Sequence, residues 1–170
     1  MNVAYLTRRT ERLTLADLSG CEHIISFGYR HILPPDIVKE YAGRAFNLHI
    51  SMLPWNRGAS PNLWAFHDST PHGVTLHLID EGIDTGPWIA QQVVKPREID
   101  TLASSYRNLT RAGLALLHDW LPRLTRGEFE AHEYTGTGTF HTKAESDALL
   151  QSLPLGWETP CRWFADRRVA

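Results

Sequence analysis

Short β-branched runs that alternate with helical stretches constrain this chain more than any other feature. Ile24-Ile25-Ser26-Phe27 stops at Gly28, as a strand buried inside an α/β sheet does. Pro34-Pro35-Asp36 then opens a helix, with proline and a carboxylate where free N–H groups favour them, and the helix ends near Gly43. Ala45 to Ile50 reads as the next strand, and Ser60-Pro61 starts a helical stretch carrying Leu63, Trp64 and Phe66. Gly73 to Ile79 and Trp88 to Val94 read as two strands joined by a tight polar connection. Asn2 to Leu6 is a candidate first strand. Leu102, Tyr106, Leu109, Leu114, Leu117, Trp120 and Leu121 predict a long helix, which Pro122 bends or ends. From Glu130 onward the chain reads as an irregular tail with one short helix near Ala144 to Leu150. Strands alternating with helices predict an α/β fold with a partly parallel sheet.

The chain of 170 residues has room for one domain with a short appendage. The boundaries read as residues 1–130 for the main domain and 131–170 for a C-terminal extension packed on it. Hydrophobic residues at 42% and charged residues at 21% are ordinary for a soluble globular protein. A formal charge of -2 argues against a dedicated phosphate-backbone binder, so no nucleic-acid partner is expected. Cys21 and Cys161 lie too far apart for a ligand-like spacing, and no disulfide framework is expected. No apolar run approaches the ~18 residues of a membrane helix, and Met1 to Tyr5 lacks a signal layout. The expectation is a cytoplasmic protein without a membrane partner. The spacing of His67, His72 and His77 fits no common ligand pattern, so no metal site is expected either.

Three segments carry candidate chemistry. In Asn47-Leu48-His49-Ile50-Ser51, residues two apart share a strand face, so Asn47, His49 and Ser51 line one side while Leu48 and Ile50 face the core. Leu53 to Gly58 is a turn-rich loop leaving that strand. Asp80-Glu81-Gly82-Ile83-Asp84-Thr85-Gly86 is an acidic loop between two strands. A converging amide, imidazole and carboxylate can polarise a carbonyl and move a proton at one carbon centre. No serine or cysteine sits in a nucleophile elbow, which favours direct attack by an external nucleophile over a covalent acyl-enzyme.

These residues resemble the formyltransferase family, which includes the methionyl-tRNA, glycinamide-ribonucleotide and amino-sugar formyltransferases. The resemblance rests on Asn47 to Pro54, Arg57-Gly58-Ala59, Pro61, Trp64-Ala65, Gly73-Val74-Thr75 and Asp80 to Gly86, and runs from about His23 to Val94. It implies a 10-formyltetrahydrofolate donor and catalytic roles for Asn47, His49 and Asp84. In that reaction an amine attacks the formyl carbon. Asn47 and protonated His49 hold the oxyanion, and Asp84 helps protonate His49 and shuttles protons. The resemblance also implies a pterin site formed by Tyr29, Arg30, His31, Ile32 and Leu33 with Ile79, Asp80, Glu81, Gly82 and Ile83. Ser51, Trp55, Asn56 and Arg57 are the candidates for acceptor binding.

The chain departs from the family pattern in its N-terminal half. Only Asn2 to Leu6 stands for the usual first strand, and no glycine-rich phosphate loop follows it. The expected architecture is therefore a shortened Rossmann-like formyltransferase core. Neither the charge nor the missing β-barrel domain of the tRNA enzyme favours tRNA, and a small amine such as a nucleotide-linked amino sugar is the leading acceptor. Arg8, Arg9 and Arg12 form a basic cluster that would attract its phosphate. Open sheet edges leave a homodimer in view. A formyltetrahydrofolate hydrolase using the same trio, and a non-catalytic folate- or partner-binding relic, remain as alternatives.

Overall fold

The computed structural model describes residues 2–7 and 11–167. A five-stranded sheet runs through the molecule in the order β1 (Val3–Thr7), β2 (His23–Phe27), β3 (Ala45–His49), β5 (Gly73–Leu78), β6 (Trp88–Val93). The pairings β1–β2 and β2–β3 are parallel, while β3–β5 and β5–β6 are antiparallel. The partly parallel sheet expected from strand–helix alternation is thus present. The antiparallel pairing of β5 with β6 follows from their short acidic connection, which is too brief for a crossover.

The two faces bury different side chains. On one, Ile24 and Ala45 pack with Leu13, Leu18, Leu33 and Ile37, the last from helix α1 (Pro35–Glu40). On the other, Ile25, Phe46, Leu48, Leu76 and Ile89 meet Leu117 and Leu124 of helix α3 (Leu102–Arg126). Strand alternation therefore puts Phe46 and Leu48 under α3 and turns Asn47 and His49 to the opposite face.

Helix α3 starts at a reciprocal cap: Thr101 Oγ1 accepts from Ser104 N at 3.2 Å, and Thr101 N donates to Ser104 Oγ at 3.0 Å. It ends at Gly127, whose φ of 70° is the left-handed stop. Pro122 does not end it. The carbonyl that the proline leaves unpaired belongs to His118, an exposed residue, so the helix continues to Arg126. Between β3 and β5 lie β4 (Arg57–Gly58) and helix α2 (Pro61–His67).

The tail holds more structure than the irregular stretch with one helix that its sequence predicts. Strand β7 (Phe140–His141) pairs with β4, helix α4 (Lys143–Ser152) follows, and α5 (Arg162–Asp166) closes the described chain. Leu153, Cys161 and Phe164 bury against Leu63, Phe66 and Leu102, and Trp64 Nε1 donates to Ser146 Oγ at 2.8 Å. These partners are distant in sequence, which is why local pattern does not announce them. Within the basic cluster, Arg8 and Arg9 lie outside the described residues; Arg12 is exposed.

Close approach of α3 to the sheet depends on Gly113, where a Cβ would lie 2.9 Å from Leu48 Cδ2. Gly113→Val is expected to lower stability by about 1–3 kcal/mol through overpacking. Urea unfolding checks this: the midpoint falls while the slope is unchanged.

Candidate active site

Asp84 occupies the centre of the site on a backbone with φ of 53°, a left-handed conformation that costs a non-glycine residue about 1–3 kcal/mol. Residues on either side hold that shape. Asp80 Oδ1 accepts from Gly82 N at 3.1 Å and from Thr85 Oγ1 at 2.7 Å. Gly86 lies so close to the Leu78 carbonyl that no Cβ fits there. The strained loop delivers the Asp84 carboxylate against the polar face of β3. Gly58 N donates to Asp84 Oδ2 at 2.9 Å and Asn47 Nδ2 to Oδ1 at 3.2 Å. His49 Nδ1 stands 3.5 Å from Oδ2, and His77 Nε2 3.6 Å from Oδ1.

Burial pushes the Asp84 carboxyl upward, but His49, His77 and the Gly58 N–H together outweigh that and hold it well below the usual carboxylate range. Asp84 is therefore ionised throughout the neutral region. The hydrogen-bond pattern also fixes the imidazoles. His49 Nε2 lies 3.0 Å from the Asn56 carbonyl, which only accepts, so Nε2 carries a proton and Nδ1 is the site that gains or loses one beside Asp84. His77 Nδ1 likewise donates to the Leu78 carbonyl at 2.7 Å, leaving Nε2 towards Asn47 Nδ2 at 3.1 Å.

His77 is the cluster member that sequence pattern did not single out. Its signal is register: Asn47 pairs with His77 across β3 and β5, which puts both side chains on one face. His67 and His72 lie apart from it. His67 Nδ1 sits 2.6 Å from Asp68 Oδ1, and His72 packs on Phe66, where burial lowers its pKa to about 4.

Two clefts meet at this cluster. The first, about 710 Å³, is lined by residues 29–33 and by Ile79, Asp80, Gly82 and Ile83, with Asn47, Gly58, Ser60, His77 and Asp84. Glu81, on the same loop, is exposed and does not line it. The second, about 740 Å³, is lined by Tyr29, Arg30, Asn47, His49, Gly58, Ser60 and Asp84 together with Tyr106, Arg107 and Trp157. Asn47, Gly58 and Asp84 belong to both.

The loop leaving β3 is placed differently from expectation. Ser51 and Asn56 are buried at 1% and 0% exposure, and neither they, Trp55 nor Arg57 line these two clefts. Ser51 Oγ donates to the Trp55 carbonyl at 2.7 Å, and Asn56 Nδ2 to Thr70 Oγ1 at 2.6 Å. Thr139 Oγ1 donates to Asn56 Oδ1 at 3.2 Å. Arg57 Nη2 donates to the Thr137 carbonyl at 3.2 Å. Their polar atoms are taken up by the loop backbone, by Thr70 and by the 137–139 segment, as a buried polar group without a partner costs about 1–3 kcal/mol. Where an acceptor contact was expected, Asn56 instead offers its carbonyl to His49.

An amide, two imidazoles and an ionised carboxylate stand together at the junction of two clefts on an α/β sheet, an arrangement able to hold developing charge and move protons at one centre. A family model described as formyl transferase matches residues 7–123, and the chain belongs to that family. It is 36% identical over 130 residues to the bifunctional polymyxin resistance protein ArnA of Wigglesworthia glossinidia brevipalpis, covering 75% of this chain and 20% of ArnA. It is 39% identical over 103 residues to the methionyl-tRNA formyltransferase of Myxococcus xanthus, covering 60% of this chain. The chain spans 33% of that enzyme, so it matches only part of either relative. Among solved structures, the formyltransferase PseJ from Anoxybacillus kamchatkensis superposes with a TM-score of 0.91 at 36% identity. That match covers 96% of this chain and 97% of PseJ, whose structure contains UDP-4,6-dideoxy-4-formamido-L-AltNAc and tetrahydrofolate. No helix of the described residues is long and apolar enough to cross a membrane.

The depressed Asp84 pKa carries a pH signature. A carboxyl whose folded pKa lies below its unfolded value adds stability that is fully present above the unfolded pKa and is lost as pH falls. Melting temperature is expected to fall as pH drops below about 4, and Asp84→Asn is expected to flatten that fall. Thermal unfolding of both proteins across this range checks the sign.

Proposed function

We propose that this chain is an N-formyltransferase that moves a formyl group from 10-formyltetrahydrofolate to a primary amine on a small molecule, with a nucleotide-linked amino sugar as the acceptor. The observation that carries the reading is the convergence of Asn47, His49 and Asp84 where two clefts meet. One cleft serves a donor and the other an acceptor, and the reacting carbon sits between them. The occupied PseJ structure, with tetrahydrofolate and a UDP-linked formamido sugar, supports this division.

The first cleft fits a pterin. Its volume is in the range of small-molecule sites, and Leu33, Ile79 and Ile83 supply apolar walls beside backbone polar groups. The donor supplies the formyl carbon and accepts one proton at the nitrogen it leaves. The chain's own groups do the rest. Both amide protons of Asn47 are engaged, one towards His77 Nε2 and one towards Asp84 Oδ1. An oxyanion forming beside Asn47 takes over the longer of these, the 3.2 Å bond to Asp84. Asp84 is too weak a base to keep the proton that the attacking amine loses. It hands that proton to Nδ1 of His49, 3.5 Å from its Oδ2, and holds the imidazolium formed until that same proton passes to the departing folate nitrogen. The Asn56 carbonyl anchors the other side of the ring.

A second cleft of about 740 Å³ beside the trio favours transfer over hydrolysis, because water needs no such space. Formate release independent of added amine, at the rate of turnover, would contradict the transfer reading. His49→Ala and Asp84→Asn are each expected to lower the transfer rate about a hundredfold or more. Calorimetry should show that His49→Ala still binds 5-formyltetrahydrofolate. Near-normal transfer by His49→Ala would overturn the roles assigned here.

A further inference from the structure

We infer that Tyr106, Arg107 and Trp157 form the acceptor's nucleoside-diphosphate subsite, with the base against the aromatic pair and the diphosphate on Arg107. This inference rests on the transfer reading above and assigns the far end of its acceptor cleft. All three residues line the second cleft and none lines the first, so they lie on the side away from the donor.

The arrangement is built from two separated parts of the chain. Tyr106 and Arg107 follow Ala103 at helical spacings of three and four on α3, so all three share the face that borders the cleft. Trp157 sits in a 3-10 turn, Gly156–Glu158, of the tail. Backbone bonds pin that turn to the start of α3: Leu102 N donates to the Thr159 carbonyl at 3.1 Å, and Cys161 N to the Asp100 carbonyl at 2.8 Å. The ring of Trp157 meets that of Tyr106 edge to face, with centroids 6.4 Å apart and planes at 63°. Edge-to-face packing leaves ring faces free for a third aromatic ring, and Trp157 remains 36% exposed.

Charge sets the direction of the ligand. Arg107 is exposed and has no ion-pair partner among the described residues, so its guanidinium is available to a phosphate. Glu158, next to Trp157, is engaged elsewhere, with Thr101 Oγ1 donating to its carboxylate at 3.3 Å. The ionised Asp84 stands at the junction of the clefts. A ligand with a cationic amine at one end and an anionic diphosphate at the other is oriented by this field, amine inward and base outward. Ring stacking then anchors the outer end without needing a full complement of base-edge hydrogen bonds.

Titration calorimetry with UDP, inorganic pyrophosphate and 5-formyltetrahydrofolate tests the assignment on the whole chain and three variants. Trp157→Ala is expected to weaken UDP binding on the order of tenfold and to leave pyrophosphate binding unchanged. Trp157→Phe, which keeps a stacking face, should restore most of the UDP affinity. Arg107→Gln is expected to weaken both UDP and pyrophosphate. Unchanged binding of 5-formyltetrahydrofolate in each variant shows that the fold and donor cleft are intact. Absence of UDP binding with and without the folate analogue, or equal UDP binding by wild type, Trp157→Ala and Arg107→Gln, overturns the inference. Loss of folate binding by the wild type, with UDP still bound through Trp157, overturns the transfer reading and leaves the subsite standing.

Discussion

The Asp84 carboxylate is the interaction on which the site depends. It reaches into a buried position from a left-handed backbone, where a lone negative charge would be expelled by desolvation. Four groups on three strands prevent that: Gly58 N from β4, Asn47 and His49 from β3, and His77 from β5. Each group is positioned by the sheet or its connections, so the carboxylate couples the loop after β5 to the rest of the fold. Removing any one partner leaves the others facing an undercompensated charge. The arrangement is a fixed electrostatic environment, which is the condition for stabilising charge that appears only during reaction.

The same cluster lies between the two clefts. Asn47 and Asp84 form the partition between them, and both spaces open onto that partition. Helix α1 and the loop after β2 bound the first cleft, while α3 and the tail bound the second. The tail packs at Leu153, Cys161 and Phe164 and carries Trp157 with it. The tail, through Trp157, therefore helps shape a wall of the second cleft as well as cover α2 and α3.

Much of this was legible in the sequence because it is local. Buried strands such as Ile24 to Phe27 and Gly73 to Leu78 announce themselves by β-branched content, and alternation along Asn47-Leu48-His49 separates polar from core residues. What depends on distant partners was not legible. Ser51 at the end of the polar strand face and Asn56 in the loop after it read as ligand-binding residues because their type is polar, whereas both are buried and engaged by Trp55, Thr70 and Thr139. His77 looks like an isolated histidine until the antiparallel register sets it beside Asn47. The extent of α3 beyond Pro122 depends on which carbonyl loses its partner, and the tail's ordered pieces depend on bonds to Asp100 and Leu102. Residue type alone does not separate a polar side chain that waits for a ligand from one already satisfied.

A crystal structure of the protein with 5-formyltetrahydrofolate tests the central claim most directly. The account predicts the pterin between the 29–33 segment and Ile79 to Ile83, with the formyl group directed towards Asn47 Nδ2 and Asp84 at the mouth of the second cleft. A folate seated elsewhere, or one whose formyl group faces away from Asn47, Asp84 and that second cleft, would contradict it.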